Sequence, residues 1–226
     1  MNKSNRFAEG GLIVSCQALE DEPLHGGDTM AKMAKAAEQS GAIGIRTNGV
    51  HDIIAIKQAV RLPVIGLIKR VIPGSDVFIT PTLEEVRAII EAGADVVALD
   101  VTDRESRLSE AEALIEYAHQ AGVQVIADVS TYEEGLAAER LGADYIGTTL
   151  SGYTPYSLQQ EGPDLELVRR LSGTAGVPVI AEGRIWTPED AVRALDAGAR
   201  NVVVGSAITR PQLIAQRYVA ALRSRV

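Results

Sequence analysis

The ten residues EAGADVVALD, at positions 91–100, combine the end of a helix with a complete buried strand. Gly93 stands where a helix commonly ends on a residue with positive φ, and the apolar run after it closes on the charged Asp100. The same arrangement recurs as AGVQ, LGAD and AGAR. This repetition predicts a chain of alternating strands and helices. Glycines at the matching position follow the predicted helices at Gly41, Gly93, Gly122, Gly142 and Gly198.

Eight short runs rich in Val or Ile are predicted to form strands. Each is nearly continuous in apolar residues, which is typical of strands buried on both faces of a parallel sheet. The predicted strands are Leu12–Cys16, Ile43–Arg46, Val64–Ile68, Val96–Asp100, Gln124–Asp128, Tyr145–Thr148, Val177–Ala181 and Asn201–Val204. The predicted helices include Thr29–Gln39, Thr82–Ala92, Ser109–Gln120 and Pro188–Ala197. Thr82 with Glu85, and Thr187 with Asp190, are predicted N-terminal caps, and the first pair is the better capping box.

Eight strand–helix units within 226 residues favour a closed (β/α)₈ barrel of the TIM type. We expect residues 1–226 to form this single α/β domain, with residues 1–10 as a short N-terminal extension. A flavodoxin-like sheet would need fewer units. A Rossmann sheet should carry G-x-G-x-x-G after its first strand, where this chain has Gln17 and Ala18. The connection Pro73–Pro81 is longer than usual and is expected to form a lid or a short hairpin beside the site.

The composition narrows the classes of function. Hydrophobic residues make up 46% of the chain and aromatic residues only 4%, so the core must be built from aliphatic side chains. A net charge of −8 gives no nucleic-acid footprint, and an anionic substrate then needs a local positive site. No apolar run approaches the roughly 20 residues that cross a bilayer, and no signal-peptide cleavage site is present. We therefore expect a cytoplasmic protein that binds neither nucleic acid nor a membrane.

Polar side chains are concentrated at the C-terminal ends of the predicted strands, where the active site of such a barrel lies. The strand interiors carry almost no charge. Residue types and position together therefore indicate a catalytic or binding site at this end. The strand-end residues are Gln17, Arg46, Lys69, Asp100, Asp128, Thr148, Thr149, Glu182, Gly205 and Ser206.

Lys69 and Glu182 are the candidate catalytic residues. Burial of Lys69 beside cations such as Arg46 and Arg184 should lower its pKa and make it usable as a base or a nucleophile. Its position also fits a rim lysine whose charged head points into water. Glu182 can act as an acid or base if desolvation raises its pKa, or it can form a structural salt bridge. Together the two could remove a proton from one face of a carbon and return it to the other.

A phosphate site is predicted in the loops that follow the seventh and eighth strands. Glycine allows the backbone to approach an anion, and a helix N-terminus supplies free N–H groups. Gly205 and Ser206 could instead only turn the chain. The candidate phosphate-binding residues are Gly183, Arg184, Gly205, Ser206 and Arg210.

No metal site is expected. His25, His51 and His119 neither cluster in the sequence nor fall at strand ends. Asp100 and Asp103 could suggest a divalent cation, but loop capping explains them as well.

The strand-end segments together resemble a known family. They read SCQAL at 15–19, GIRTNG at 44–49, GLIKR at 66–70, ITPT at 79–82, ALD at 98–100, ADVST at 127–131, GTTLSGYT at 147–154 and AEGRI at 181–185. In this order they resemble the N-acetylmannosamine-6-phosphate 2-epimerases. The resemblance covers nearly the whole chain, from about Gly11 to the final helix.

The resemblance implies an isomerase that converts N-acetylmannosamine 6-phosphate to N-acetylglucosamine 6-phosphate in amino-sugar and sialic-acid catabolism, with no metal or organic cofactor. It implies that Lys69 is the catalytic base and that Glu182 completes the site. Thr148 is a further candidate substrate-binding residue, because it lies at the end of a predicted strand. The residues implied to hold the sugar and its phosphate are Gln17, Arg46, Asp128 and Arg184.

The implied reaction agrees with the residue types. In the open-chain sugar, C2 lies next to the C1 aldehyde, which acidifies the C2 proton. A base can remove this proton to give an enediolate-like intermediate, and Arg46 could stabilise the charge on its oxygen. The sequence leaves open whether Glu182 or a substrate hydroxyl delivers the second proton.

Other interpretations stay open at this point. A thiamine-phosphate synthase-like barrel should require a divalent metal, and a ribulose-phosphate epimerase-like barrel should show strand-end histidines, which this chain lacks. Lys69 could form a Schiff base as in an aldolase. A non-catalytic sugar-phosphate binding protein is a further class, although the presence of both Lys69 and Glu182 argues against it. Barrels of this kind usually associate, and we therefore expect a homodimer.

Overall fold

The computed structural model of the protein describes residues 5–104 and 106–224, which form one closed barrel of eight parallel strands. Each strand pairs with the next one in the sequence, and β1 pairs with β8 to close the ring. The (β/α)₈ barrel predicted from the sequence is therefore confirmed. The strands are β1 (Leu12–Cys16), β2 (Gly44–Asn48), β3 (Val64–Leu67), β4 (Val96–Asp100), β5 (Gln124–Asp128), β6 (Tyr145–Gly147), β7 (Val179–Glu182) and β8 (Asn201–Val204).

A helix follows every strand, as the alternation predicts, and a second helix follows β8 after the four-residue α8. Within the described ranges, every helix is too short or too polar to cross a membrane. The helices are α1 (Thr29–Gln39), α2 (Val50–Ala59), α3 (Leu83–Glu91), α4 (Arg107–Gln120), α5 (Tyr132–Arg140), α6 (Leu165–Ser172), α7 (Pro188–Asp196), α8 (Ser206–Thr209) and α9 (Pro211–Arg223).

The predicted boundaries of β1, β4, β5 and β8 agree with the structure to the residue. β2 runs further than predicted, to Asn48, which pairs with Leu67 of β3. β7 begins later than predicted, at Val179, because Pro178 has no N–H to donate to a neighbouring strand. β7 also ends one residue later than predicted, because Glu182 still pairs with Val203 of β8, so Glu182 is the last residue of the strand.

Phe7 closes the barrel at the N-terminal ends of the strands. Its side chain is 1% exposed and packs edge-on against Tyr145, with the ring centroids 5.6 Å apart. A Cβ at Gly44 would lie 2.7 Å from the Phe7 ring, so only glycine lets the ring seat there. Phe7 thus belongs to the barrel core although it falls in the segment expected to be an N-terminal extension.

Capping boxes fix the start of three helices in the described part of the chain. In each, the threonine side chain accepts a backbone N–H of the first turn while an acidic side chain accepts the backbone N–H of the threonine. The capping pairs of α3 and α7 were predicted from the sequence, and that of α5 was not. The five glycines predicted to end helices all have positive φ, between 76° and 103°. The capping pairs are Thr82 with Glu85 in α3, Thr131 with Glu134 in α5 and Thr187 with Asp190 in α7.

The connection after β3 returns on itself as a short hairpin. Lys69 and Ile79 form an antiparallel bridge, and the Thr80 N–H donates to the Ile68 carbonyl at 2.7 Å. Of the two forms expected for this connection, the hairpin is confirmed. It fixes the backbone of Lys69 at the rim of the barrel.

A buried arginine holds the base of this hairpin. Arg107, the first residue of α4, is 1% exposed. Its guanidinium donates hydrogen bonds to three backbone carbonyls, those of Asp100 at 2.6 Å, Pro81 at 2.8 Å and Thr80 at 3.2 Å. Thr80 has a φ of +49°, which is strained for a β-branched residue. The three bonds therefore hold a turn that would not persist by itself.

Replacing Arg107 with methionine should lower the free energy of unfolding by at least about 3 kcal/mol, because three buried carbonyls lose their donor. Urea denaturation followed by circular dichroism measures the change. Arg193→Met is the matched control, since the Arg193 side chain is 64% exposed and its surface ion pair contributes less than about 1 kcal/mol. Equal losses in the two variants would contradict the role of Arg107.

Candidate active site

The C-terminal ends of the strands surround a cavity of about 470 Å³, a size that suits a small-molecule ligand. Most of the eleven candidate site residues lie on its wall. Arg46, Asp128 and Thr148 do not. The candidate residues that line the cavity are Gln17, Lys69, Glu182, Gly183, Arg184, Gly205, Ser206 and Arg210.

Arg46 bridges two carboxylates beneath the cavity. Its Nη1 donates to Oδ1 of Asp128 at 3.1 Å, and its Nη2 donates to Oδ2 at 2.5 Å. Nη1 also lies 3.3 Å from Oε2 of Glu182. Arg46 is 1% exposed and Asp128 is buried completely. The positive charge that was expected to face a developing oxyanion is therefore shared with two carboxylates under the cavity floor.

Two adjacent threonines after β6 differ in what they contact. Thr148, expected to bind substrate, is buried, and its hydroxyl accepts from the Glu182 N–H and donates to the Glu182 carbonyl, both at 3.1 Å. Its side chain holds the end of β7 and does not reach the cavity. Thr149 lines the cavity instead, and its hydroxyl contacts Asp128 and Glu182. The strand-end position signalled both threonines without showing which one faces inward.

Lys69 is half-buried at the cavity wall. Its backbone N–H donates to Oδ1 of Asn48 at 2.8 Å, which ties the lysine to the end of β2. Burial, and then the charges of Arg210 and Arg46, lower the pKa of Lys69 to about 8. The direction agrees with the sequence-based expectation. One of the two expected cations is different. Arg210, and not Arg184, acts with Arg46 to lower the pKa of the Lys69 amine.

Glu182 forms a salt bridge and also has a raised pKa, the two possibilities considered for it from the sequence. Its side chain is 14% exposed and contacts the Arg46 guanidinium. Desolvation raises the pKa of Glu182 to about 7; Arg46 opposes the rise and the Asp128 carboxylate adds to it. In the ring of eight strands, β7 lies four positions from β3. Glu182 and Lys69 therefore approach the cavity from opposite sides.

The loops after β7 and β8 meet at one end of the cavity. Gly183 has a φ of +106°, and Gly205 with Ser206 leads into α8. Arg210, between α8 and α9, forms an ion pair with Glu22 at 3.0 Å. Glycine backbone, a helix start and an arginine held in place are a combination that favours phosphate binding.

Arg184 is held over the connection between β6 and α6. It has a φ of +56°, and its Nε donates to the Gly162 carbonyl at 2.9 Å. Its guanidinium carbon lies 6.0 Å from the centre of the Tyr153 ring. A Cβ at Gly152 would stand 1.6 Å from Nη1 of Arg184. Glycine at this position therefore makes room for the guanidinium.

Loop residues that sequence analysis missed complete the cavity wall. Asp76 and Phe78 come from the hairpin after β3, and Arg104 follows β4. The Arg104 guanidinium donates to the Asp76 carbonyl, which joins the two loops. The positions of these residues depend on how the loops fold back, which no strand-end pattern reports.

Trp186 and Tyr153 were not missed: the sequence suggested that they line the pocket or pack under a loop, and both line the cavity. The guanidinium carbon of Arg217 in α9 lies 4.3 Å from the centre of the Trp186 ring.

The histidines lie away from the cavity. Nε2 of His119 is 2.8 Å from Asp144, and Nδ1 of His51 is 3.2 Å from Asp52. Nδ1 of His25 lies 3.2 Å from a backbone carbonyl. Across residues 5–104 and 106–224, no three or more His, Cys, Asp or Glu side chains are grouped so as to hold a metal ion.

Residues 30–224 match a family model described as "Putative N-acetylmannosamine-6-phosphate epimerase". The matched range begins within α1 and ends after α9. The chain belongs to the N-acetylmannosamine-6-phosphate epimerase family. The resemblance inferred from the strand-end motifs is confirmed by this match.

Relatives of the chain extend over almost its whole length. A protein of Caldanaerobacter subterraneus subsp. tengcongensis is 58% identical over 220 residues, covering 96% of this chain and 93% of the relative. A protein of Clostridioides difficile is 51% identical over 215 residues, covering 95% of this chain and 96% of the relative. Both are described as "Putative N-acetylmannosamine-6-phosphate 2-epimerase".

Two solved structures resemble this chain to very different degrees: an epimerase and a thiamine phosphate pyrophosphorylase. The N-acetylmannosamine-6-phosphate 2-epimerase from Clostridium perfringens superposes with a TM-score of 0.92 at 49% identity, covering 95% of this chain and 94% of that one. The thiamine phosphate pyrophosphorylase from Pyrococcus furiosus superposes with a TM-score of 0.61 at 22% identity, covering 88% and 87%. The second likeness shows the shared barrel fold alone.

Replacing Gly152 with alanine should displace the Arg184 guanidinium, because the new Cβ would occupy its position. We expect the Kd for a sugar phosphate, measured by isothermal titration calorimetry, to rise about tenfold, which corresponds to about 1.4 kcal/mol. Gly122→Ala is the control: Gly122 has a φ of +76°, close to the +79° of Gly152, but a Cβ there would meet nothing within 4 Å. A similar rise in both variants would assign the effect to backbone strain and not to Arg184.

Proposed function

We propose that the protein catalyses the reversible epimerisation at C2 that interconverts N-acetylmannosamine 6-phosphate and N-acetylglucosamine 6-phosphate. The observation that carries this proposal is the placement of Lys69 and Glu182 on opposite sides of one cavity, in a chain that belongs to the epimerase family. The substrate is a phosphorylated N-acetylated amino sugar of amino-sugar and sialic-acid catabolism.

Lys69 is the proposed base. A pKa of about 8 leaves a usable neutral fraction of the amine near neutral pH. In the open-chain sugar, the C1 aldehyde acidifies the proton on C2. The amine removes this proton, and the bonding electrons move toward the C1 oxygen to give the enediolate-like intermediate.

Glu182 is the proposed partner on the other face of C2. Its pKa of about 7 lies close to the value of about 8 for Lys69, so moving a proton from one side of the site to the other costs little free energy. Protonated Glu182 returns a proton to the face opposite Lys69, and the configuration at C2 inverts. The reverse reaction uses the same two groups with their protonation states exchanged.

Arg46, Asp128 and Gln17 are proposed to support these two groups. The buried Arg46 holds the Glu182 carboxylate from below the cavity floor, and Asp128 keeps the guanidinium oriented through two hydrogen bonds. Gln17 lines the cavity, its Nε2 donates to Oγ of Ser15 at 2.8 Å, and its Oε1 has no hydrogen-bond partner among the described residues. This oxygen is placed to accept a hydrogen bond from a sugar hydroxyl.

The proposed phosphate site lies at the end of the cavity formed by the last two strand-end loops. The overall charge of −8 does not favour an anion, so the two arginines at this end supply the local positive charge. The glycines let the backbone approach the phosphate oxygens. The residues proposed to contact the 6-phosphate are Gly183, Arg184, Gly205, Ser206 and Arg210.

Proton NMR of the purified protein with N-acetylmannosamine 6-phosphate in D₂O tests the function. We expect N-acetylglucosamine 6-phosphate to appear with deuterium at C2, because the Glu182 carboxyl that delivers the new proton exchanges with solvent and carries deuterium in D₂O. Lys69→Ala should lower the rate by at least about a thousandfold while keeping the circular dichroism spectrum of the barrel. Turnover with no deuterium incorporation would exclude the proton-transfer mechanism, and a folded protein without turnover would exclude the epimerase function.

We also propose a cytoplasmic homodimer. A sugar phosphate is charged and does not cross a bilayer unaided, which supports a cytoplasmic location for an enzyme that acts on it. α9 has no buried residue, whereas α1 to α7 each bury at least one. On it, Tyr218 is 71% exposed and Leu222 66% exposed. A second copy that covers α9 would remove this apolar surface from water.

Light scattering coupled to size exclusion measures the assembly. We expect twice the 24.0 kDa of one chain, and a monomer mass for the double variant Tyr218→Glu, Leu222→Glu. Ile54→Glu, at an exposed apolar position on α2, is the control and should remain dimeric. A monomer mass for the unaltered protein would contradict the proposal.

A further inference from the structure

One hydroxyl lies between the two carboxylates at the cavity floor. Oγ1 of Thr149 is 2.6 Å from Oδ1 of Asp128 and 3.2 Å from Oε2 of Glu182. A threonine hydroxyl has one hydrogen to donate, so it donates to one of these oxygens at a time. Which carboxylate receives the hydrogen bond depends on where the negative charge is.

Asp128 and Glu182 share one guanidinium when both carboxylates are ionised. Arg46 contacts both, with Nη1 at 3.1 Å from Oδ1 of Asp128 and 3.3 Å from Oε2 of Glu182. The charges of Asp128 and Lys69 also act on Glu182, the first raising its pKa and the second lowering it. One buried guanidinium thus serves two buried carboxylates, and a buried carboxylate short of donors is costly. The Thr149 hydroxyl supplies a further donor.

We propose that Thr149 is a positioning residue for the reaction, whose hydroxyl donates to Glu182 while that carboxylate is ionised and to Asp128 while Glu182 holds a proton. In the second state, the Glu182 proton faces the sugar and Thr149 donates to Asp128. No bond of Thr149 is made or broken, because its hydrogen only rotates about the Cβ–Oγ1 bond. The inference rests on the proposed function, in which Glu182 takes up and releases a proton.

Thr148 provides an internal comparison. Its hydroxyl is engaged with the backbone N–H and carbonyl of Glu182, both at 3.1 Å. It therefore determines where the backbone of Glu182 lies, whereas Thr149 contacts the carboxylate itself. Thr148 thus makes a purely structural contact, whereas the contact of Thr149 responds to the charge of Glu182.

The geometry predicts the sign of the effect. Asp128 already accepts two hydrogen bonds from Arg46, whereas Glu182 has one contact with that guanidinium, at 3.3 Å. The bond from Thr149 therefore stabilises ionised Glu182 more than it stabilises Asp128, and it lowers the Glu182 pKa against the rise caused by desolvation. Removing the hydroxyl should raise the Glu182 pKa further. The inflection that belongs to Glu182 should then move to higher pH, whichever protonation state the rate depends on.

The experiment compares Thr149→Val, Thr149→Ser and Thr148→Val with the unaltered enzyme. Two quantities are measured: the pH profile of kcat/KM, and the midpoint of the Glu182 carboxyl in a ¹³C NMR titration, assigned with Glu182→Gln. We expect Thr149→Val to move the midpoint upward by about one pH unit and to lower kcat at pH 7 about tenfold. Thr149→Ser should restore both nearly to the original values. Thr148→Val should lower the thermal midpoint and leave the titration midpoint in place.

An unchanged titration midpoint in a folded Thr149→Val variant would overturn the inference, and so would a serine variant that behaves like the valine variant. Thr149→Ala is the second variant if valine prevents folding, and the same upward shift is expected. If the unaltered protein does not epimerise the sugar, the proposed function fails. The carboxyl titration then still decides whether Thr149 acts on Glu182.

Discussion

The buried guanidinium of Arg46 holds the site together. It contacts Asp128 and Glu182 and so joins the ends of β2, β5 and β7, which are not neighbours in the ring of strands. An unpaired charge in such an interior costs several kcal/mol, and Arg46 has its carboxylate partners only after the barrel has closed. Closure of the barrel and assembly of the site are therefore one event. If the strands paired in another register, the charges of Arg46, Asp128 and Glu182 would be buried without their partners.

The same burial acts in opposite directions on the two groups that face the cavity. Desolvation lowers the pKa of Lys69, since the amine is charged when protonated, and raises that of Glu182, since the carboxyl is charged when deprotonated. Each group is shifted toward its neutral form. A neutral amine opposite a neutral acid is the pair needed to take a proton from one face of a carbon and give one to the other. The two shifted pKa values on which the proposed roles of these groups depend therefore follow from the depth at which the strands end.

The sequence predicted what depends on periodicity and on strand ends. It gave eight strands and the cavity residues that directly follow them, such as Lys69. It did not distinguish Thr148 from Thr149, because side-chain alternation breaks down where β6 stops at Gly147. It did not place Asp76, because the hairpin that carries this residue is held by Arg107, a contact between segments far apart in the chain. Long-range hydrogen bonds to the backbone leave no mark in a local pattern.

Phe7, seated against Gly44, fills the N-terminal end of the barrel as the described residues show it, and the cavity opens at the C-terminal ends of the strands. Substrate and product of a reversible conversion must then enter and leave through the same cavity mouth. Each sugar excludes the other while it occupies the cavity, so the product is a competitive inhibitor. Water is subject to the same restriction. A proton taken from the sugar has no path through the packed interior, so its exchange with solvent takes place at the cavity mouth.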